Sequence, residues 1–147
     1  MSLTSLNTAS AANEGRVLTV KHPVERTALK TADGTLVTLT LLGQDSEVYV
    51  KADLDMQRAT FERVTTGAPY SPAESHEERN RVYAACTVAW TGVPQGWIDG
   101  TKDETPAPFT KANAAKLYGN PGVKWLRDQV EKFIGERAHF LQVADDS

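Results

Sequence analysis

The sequence predicts an α+β domain: an N-terminal β-hairpin followed by about four α-helices, with the C-terminal part forming a small helical bundle. Three observations predict it. Residues 16–43 are β-like, and within them "TALKTADGTLVTLTLL" alternates around Asp33-Gly34, the strongest short hairpin signal. Helix-start chemistry recurs downstream at Ser46, at Ser71-Pro72, at Thr110 and at Asn120-Pro121. The last segment, from Val123 to Leu141, carries a nearly continuous apolar stripe.

In the hairpin, "RVLTVKHPV" is rich in β-branched residues until Pro23, which ends or edges the strand. Beyond the turn, Val37, Leu39 and Leu41 point to one face while Thr38 and Thr40 point to the other. A two-stranded ribbon is marginal alone, so its apolar face must lie on helices or on a partner. Gly43 breaks the strand. Asp45 or Ser46 then caps a helix to about Val64, with Val48, Ala52, Met56 and Ala59 as its stripe and Leu54 and Phe61 off it. "TTGAPY" reads as a loop. "SPAE" at 71–74 combines an N-cap, an N1 proline and a capping box, and opens a helix running to about Trp90. Its first half, "ESHEERNR", is solvated; its second, "VYAACTVAW", is apolar on most sides. The irregular 91–109 stretch, with the 94–107 loop inside it, leads to a short helix, "KANAAKLYG". The final helix starts at Asn120-Pro121 and contains Gly135, for which the local sequence gives no reason; close approach of a neighbour would explain it. Residues 1–15 read as a flexible tail, 16–142 as one globular domain (hairpin 16–43, helices 45–141), and 143–147 as a C-terminal tail.

Composition restricts function. Sixteen basic against nineteen acidic residues give a net charge of −3, with the bases scattered beside acids, so no nucleic-acid partner is expected. The lone Cys86 excludes an internal disulfide framework and fits a reducing compartment. The N-terminus lacks a basic start and an apolar run, so no secretory signal is read, and no apolar run is long enough to span a bilayer.

Candidate chemistries fail on spacing. His76 in "SHEER" is followed at the fifth position by Asn80, not His, so the helical zinc motif is incomplete. Placing Gly100 at the invariant glycine of a calcium loop puts Trp97 and Pro106 where oxygen ligands are needed. Cys86 reads as a buried small hydrophobe rather than a nucleophile, and His22, His76 and His139 stand in unrelated contexts. Asp53 and Asp55 read as solvated. No catalytic residue, cofactor or metal is expected. Trp90, Trp97, Phe109, Tyr118, Trp125, Phe133 and Phe140 all fall in the C-terminal part. They either build the core of a helical subdomain or supply partner-binding anchors. Trp97, in a loop beside Gly96, is the best interface candidate.

Four segments stand in a telling order: "VAWTGV" (88–93), "IDG" (98–100), "PFTKANAAKLYGNPG" (108–122) and "WLRDQVEKFIGERAHFL" (125–141). In that order and spacing the chain resembles the tail assembly chaperones of tailed bacteriophages. The earlier "LVTLTLLGQDSEVYVKA" (36–52) is similar to the family's strand and following helix. The departure is "GWIDGTKDETPAPF", longer than the family's tight turn and carrying Trp97. The resemblance implies a non-catalytic factor in the host bacterial cytoplasm. It would bind the tape measure protein, assist tail tube protein assembly around it, and be absent from the mature virion. A homo-oligomer is compatible with this. Helix-in-groove recognition would use the final stripe or its neighbours. A virion component (minor tail or head–tail connector protein) is the alternative, and a small enzyme with an unrecognised site the third.

Overall fold

The computed structural model describes residues 3–68 and 71–141. The expected tail 143–147, the end of the domain at 142, Met1 and Ser2, and the close of the "TTGAPY" loop lie outside them. The fold is α+β. Three antiparallel strands, β1 (Arg16–Thr19), β2 (Thr38–Leu41) and β3 (Thr87–Thr91), form a sheet in the order β1-β2-β3.

Arg16 pairs with Leu41 and Thr19 with Thr38, so the ends of the expected hairpin do meet. The chain between them makes two turns rather than one. His22 and Thr27 close the first, and Thr31 and Thr35 close the second, around Asp33-Gly34. Leu29 joins them to the sheet, donating to Val20 and accepting from Val37. Val37, Leu39 and Leu41 are buried as the alternation requires.

The third strand corrects the expectation of a helix to Trp90. The helix α3 (Pro72–Cys86) stops at Cys86, and Thr87–Thr91 becomes an edge strand on β2. Thr87, Val88 and Thr91 are β-branched, and β2 has a free edge beside them. A short apolar run has no periodicity that separates a buried helix from a buried strand, so the tertiary partner decides. A bulge sets Leu41 opposite Thr87 and Thr40 opposite Ala89. Each outer edge is stoppered at one point. The Gln129 amide exchanges two hydrogen bonds with the Lys21 backbone just beyond β1, at 3.0 and 2.8 Å. Lys111 Nζ donates to the carbonyls of Ala85 and Thr87 beside β3, at 2.9 and 2.6 Å.

Residues 3–14 are not a free tail. Leu3–Leu6 make a 3-10 turn and Ala9–Glu14 form α1, with Ala11 and Ala12 buried. Polar residues of the kind that suggest disorder here have partners. Thr8 donates to Asp45, Asn13 accepts from the Glu47 N–H, and the Ala12 carbonyl accepts from Gly43. Gly43 permits this closeness: a Cβ there would stand 2.9 Å from Phe140 and 3.0 Å from Ala12.

Side-chain caps form at the four expected starts. Ser46 caps α2 (Glu47–Thr65), Ser71 caps α3, Thr110 caps α5 (Lys111–Gly119), and Asn120 caps a 3-10 turn leading into α6 (Lys124–Gly135). At Ser71 the hydroxyl accepts from the Glu74 N–H, while the Glu74 carboxylate lies 3.8 Å from Arg63. The final helix is shorter than expected. It ends at Gly135, and Arg137–Phe140 form a 3-10 turn. Nothing lies within 4 Å of where a Gly135 Cβ would sit, so crowding at that position does not explain the glycine. The backbone N–H and side-chain amide of Gln44 instead take the carbonyls of Ile134 and Gly135, finishing the helix. Arg137 breaks the apolar stripe because it grips Asp45 in a bidentate pair at 2.7 and 2.9 Å.

The core packs β2 against α3, α5 and α6, with Leu39, Leu41, Leu117, Leu126, Val130 and Ile134 almost fully enclosed. One polar network crosses it. Buried Arg127 donates to Asn80 at 2.6 Å, lies over the Tyr83 ring at 5.3 Å, and sits 3.4 Å from Glu131. Tyr83 donates to the same carboxylate at 2.6 Å. Burial and that carboxylate push the Tyr83 phenol above its usual range. This satisfied network pins α3 to α6.

Candidate functional site

The seven aromatic residues cluster, and the structure commits most of their surface to packing. Trp90, Tyr118, Phe133 and Phe140 are buried. Trp90 meets Phe109 edge-on at 5.1 Å and donates its indole N–H to the Ala107 carbonyl. The Tyr118 hydroxyl lies 2.6 Å from Thr87, whose own proton goes to the Tyr83 carbonyl, so Tyr118 donates. Phe140 packs edge-on against Phe133, which stacks on His139. Trp97, Phe109 and Trp125 are half-buried against the core. The final stripe is largely turned inward: Leu126, Val130, Phe133 and Ile134 of α6 are buried, although Phe133 still lines a cleft of about 520 Å³ with Val17, Leu18, Gln129 and His139.

The 94–107 segment is an ordered corner. Pro94 bridges Pro106, the Gln95 and Gly96 N–H groups donate to Thr105 and Asp103, and Ala107 donates to Val93. Gly96–Asp99 form a single helical turn, α4. A Cβ on Gly96 would stand 2.5 Å from the Thr101 carbonyl, so only glycine fits. Asp99 and Asp103 accept from Thr101 and Thr105, which holds both carboxyls below their usual range. Trp97 meets Trp125 edge-on at 5.4 Å, and its carbonyl accepts from Asn120. Its remaining edge lines a cleft of about 350 Å³ with Leu29, Thr31, Val37, Pro94 and Glu104.

The titratable residues are engaged structurally. Cys86 is fully enclosed, and burial pushes its thiol up to about 12, against a smaller opposing pull from Lys111. Such a thiol stays protonated and unreactive near neutrality. His76 is exposed, and Asn80 one turn on is buried under Arg127. Asp53 is less solvated than expected, pairing with Arg79 of α3 at 3.3 Å. Among the described residues no group of three His, Cys, Asp or Glu is placed to hold a metal ion, and no helix is long and apolar enough to cross a membrane.

The largest departure from expectation is α2. It contributes no buried residue and packs mainly on α3. Tyr49, Ala52, Met56, Ala59 and Arg63 form its half-buried side, so Val48 is not part of the inward stripe. Arg63 pairs with Glu78 across the α2–α3 seam. On the outer face Val50 (47% exposed), Leu54 (52%), Phe61 (70%) and Val64 (72%) face solvent. With Gln57 these positions step by 4, 3, 4 and 3 residues, the spacing of a coiled-coil seam. A search of the sequence for one inward stripe leaves Leu54 and Phe61 aside. The signal is present there as a second, offset stripe, interrupted by Gln57. Contiguous apolar rows of this kind are uncommon on surfaces without partners.

Set against known proteins, the chain matches no family model, and neither a curated protein nor a solved structure matches it.

Proposed function

We propose that this chain is a tail assembly chaperone of a tailed bacteriophage, acting by binding rather than catalysis. It would work in the host cytoplasm, covering apolar helical faces of the tape measure protein while tail tube protein assembles around them. Two lines support the reading. The motif order from Val88 to Leu141 is that of the family it resembles. The observation that carries it is the solvent-facing row Val50, Leu54, Phe61 and Val64 on α2. A preformed helix offering apolar residues at seam spacing suits recognition of another amphipathic helix. Trp97 and its cleft supply a second, smaller anchor point.

The test is co-expression with the tape measure protein encoded by the same phage. The wild-type chain should carry that protein into the soluble fraction, and Leu54→Glu/Phe61→Glu should not. Failure of the wild-type chain to do so would overturn the reading. Mass spectrometry of purified particles should find the chain absent; stoichiometric presence would favour a virion component.

A further inference from the structure

The outer face of α2 is complementary to itself when reversed. About a two-fold axis near Gln57, Val50 of one copy faces Val64 of the next, Leu54 faces Phe61, and Gln57 meets its own equivalent. The charges beside this row obey the same axis. Along one flank run Lys51, Asp55, Arg58 and Glu62, alternating in sign. Reversal brings Lys51 against Glu62 and Asp55 against Arg58, opposite charges in all four meetings. In an antiparallel helix pair each flank meets its own kind, so one operator satisfies both the apolar row and the charges. Within a single chain, Asp55 serves Lys51 at 3.4 Å and Arg58 at 3.6 Å. Pairing would share those charges across the interface. The helix is already folded, and α3 covers a different side, leaving the row open.

From this we infer that a second copy of this chain covers the outer face of α2, forming an antiparallel, two-fold dimer when no other partner holds it. One 19-residue helix presents roughly 500–700 Å² per chain, below the ~800 Å² per partner typical of stable complexes. The dimer is therefore weak and concentration-dependent. Self-pairing and capture of another helix use the same side chains and exclude one another. Self-pairing holds whatever that other helix is.

The experiment is sedimentation equilibrium of the full chain from micromolar to millimolar concentration. Wild type should pass from monomer to dimer. Phe61→Glu should remain monomeric with an unchanged melting temperature, and a dimer that survives it overturns the interface. Charge exchange tests the geometry. Lys51→Glu and Glu62→Lys each place like charges across the axis, so each alone should dimerise at least ~10-fold more weakly. Mixed one to one, the two variants restore opposite charges at both meetings of positions 51 and 62, and a heterodimer should form. A wild-type chain that stays monomeric throughout, or a mixture no tighter than its components, sinks the proposal. Client rescue by Lys51→Glu is read separately. Lost dimerisation with retained rescue leaves the chaperone reading standing, whereas a dimer without rescue removes that reading alone.

Discussion

The α2 arm and the C-terminal body use apolar residues in opposite ways. In the body, α6 turns Leu126, Val130, Phe133 and Ile134 inward and leaves charge outside. In the arm, α2 buries nothing fully, and its large apolar residues face water. The body is held by close packing and the Arg127 network, the arm by the half-buried side Tyr49, Ala52, Met56 and Ala59 on α3, with ion pairs such as Arg63–Glu78 and Asp53–Arg79. The difference separates where apolar surface is spent on stability from where it stays open to solvent. A count of aromatics finds the core and misses the exposed row on α2.

The sharpest break of this contrast is Phe140→Ala. The ring is 1% exposed and seals Gly43 and α1 onto the body. Loss should cost about 3–5 kcal/mol in denaturant unfolding, a scale seen for buried aromatic truncations. A cost under about 1 kcal/mol would mean that α1 docks without it. Asn80→Ala comes next, at about 1–3 kcal/mol, because it strips a partner from a buried guanidinium. Gly43→Ala should fall within about 1–3 kcal/mol by overpacking Phe140 and Ala12, read as a lowered melting temperature.

The body should also respond to alkali. Cys86, Tyr83 and Tyr118 hold their protons more tightly when folded, chiefly through burial. The unfolded chain loses the thiol proton near the ordinary value of 9.0, the folded chain only at about 12. Their contribution is thus fully present below the unfolded values and lost as pH rises toward the folded ones. Unfolding free energy should fall between pH 9 and 12, and a flat profile there would contradict enclosure. In native protein near neutrality, Cys86 should label with a thiol reagent far more slowly than in urea. The smallest stability effect belongs to the arm. Phe61→Ser, 70% exposed, should change stability by no more than about 0.5 kcal/mol while removing partner binding.

Features set by neighbouring residues were legible in the sequence. Ser46, Ser71, Thr110 and Asn120 each cap the turn that follows, though the Glu74 carboxylate lies beside Arg63 and Asn120 serves a 3-10 turn ahead of α6; Asp33-Gly34 turns the chain; each rests on contacts within a few residues. Features needing a distant partner were not. Thr87–Thr91 became a strand because β2 offered an edge, and Ala9–Glu14 ordered because Gly43 and Asp45 received it. Gly135 waited on Gln44, 91 positions away. At the candidate site the aromatic cluster was legible as a cluster. Its inward commitment required Ala107, Thr87 and Asn120 in place, and the outward row on α2 required knowing which side α3 would take.

The amide clasp of Gln129 on Lys21 and the ammonium plug of Lys111 on Ala85 and Thr87 have a consequence for crowded conditions. With hydrogen-bonding groups beside both borders already spoken for, fibril-like stacking of copies is discouraged at those points. The two borders therefore present fewer free main-chain groups to another copy than their length alone suggests.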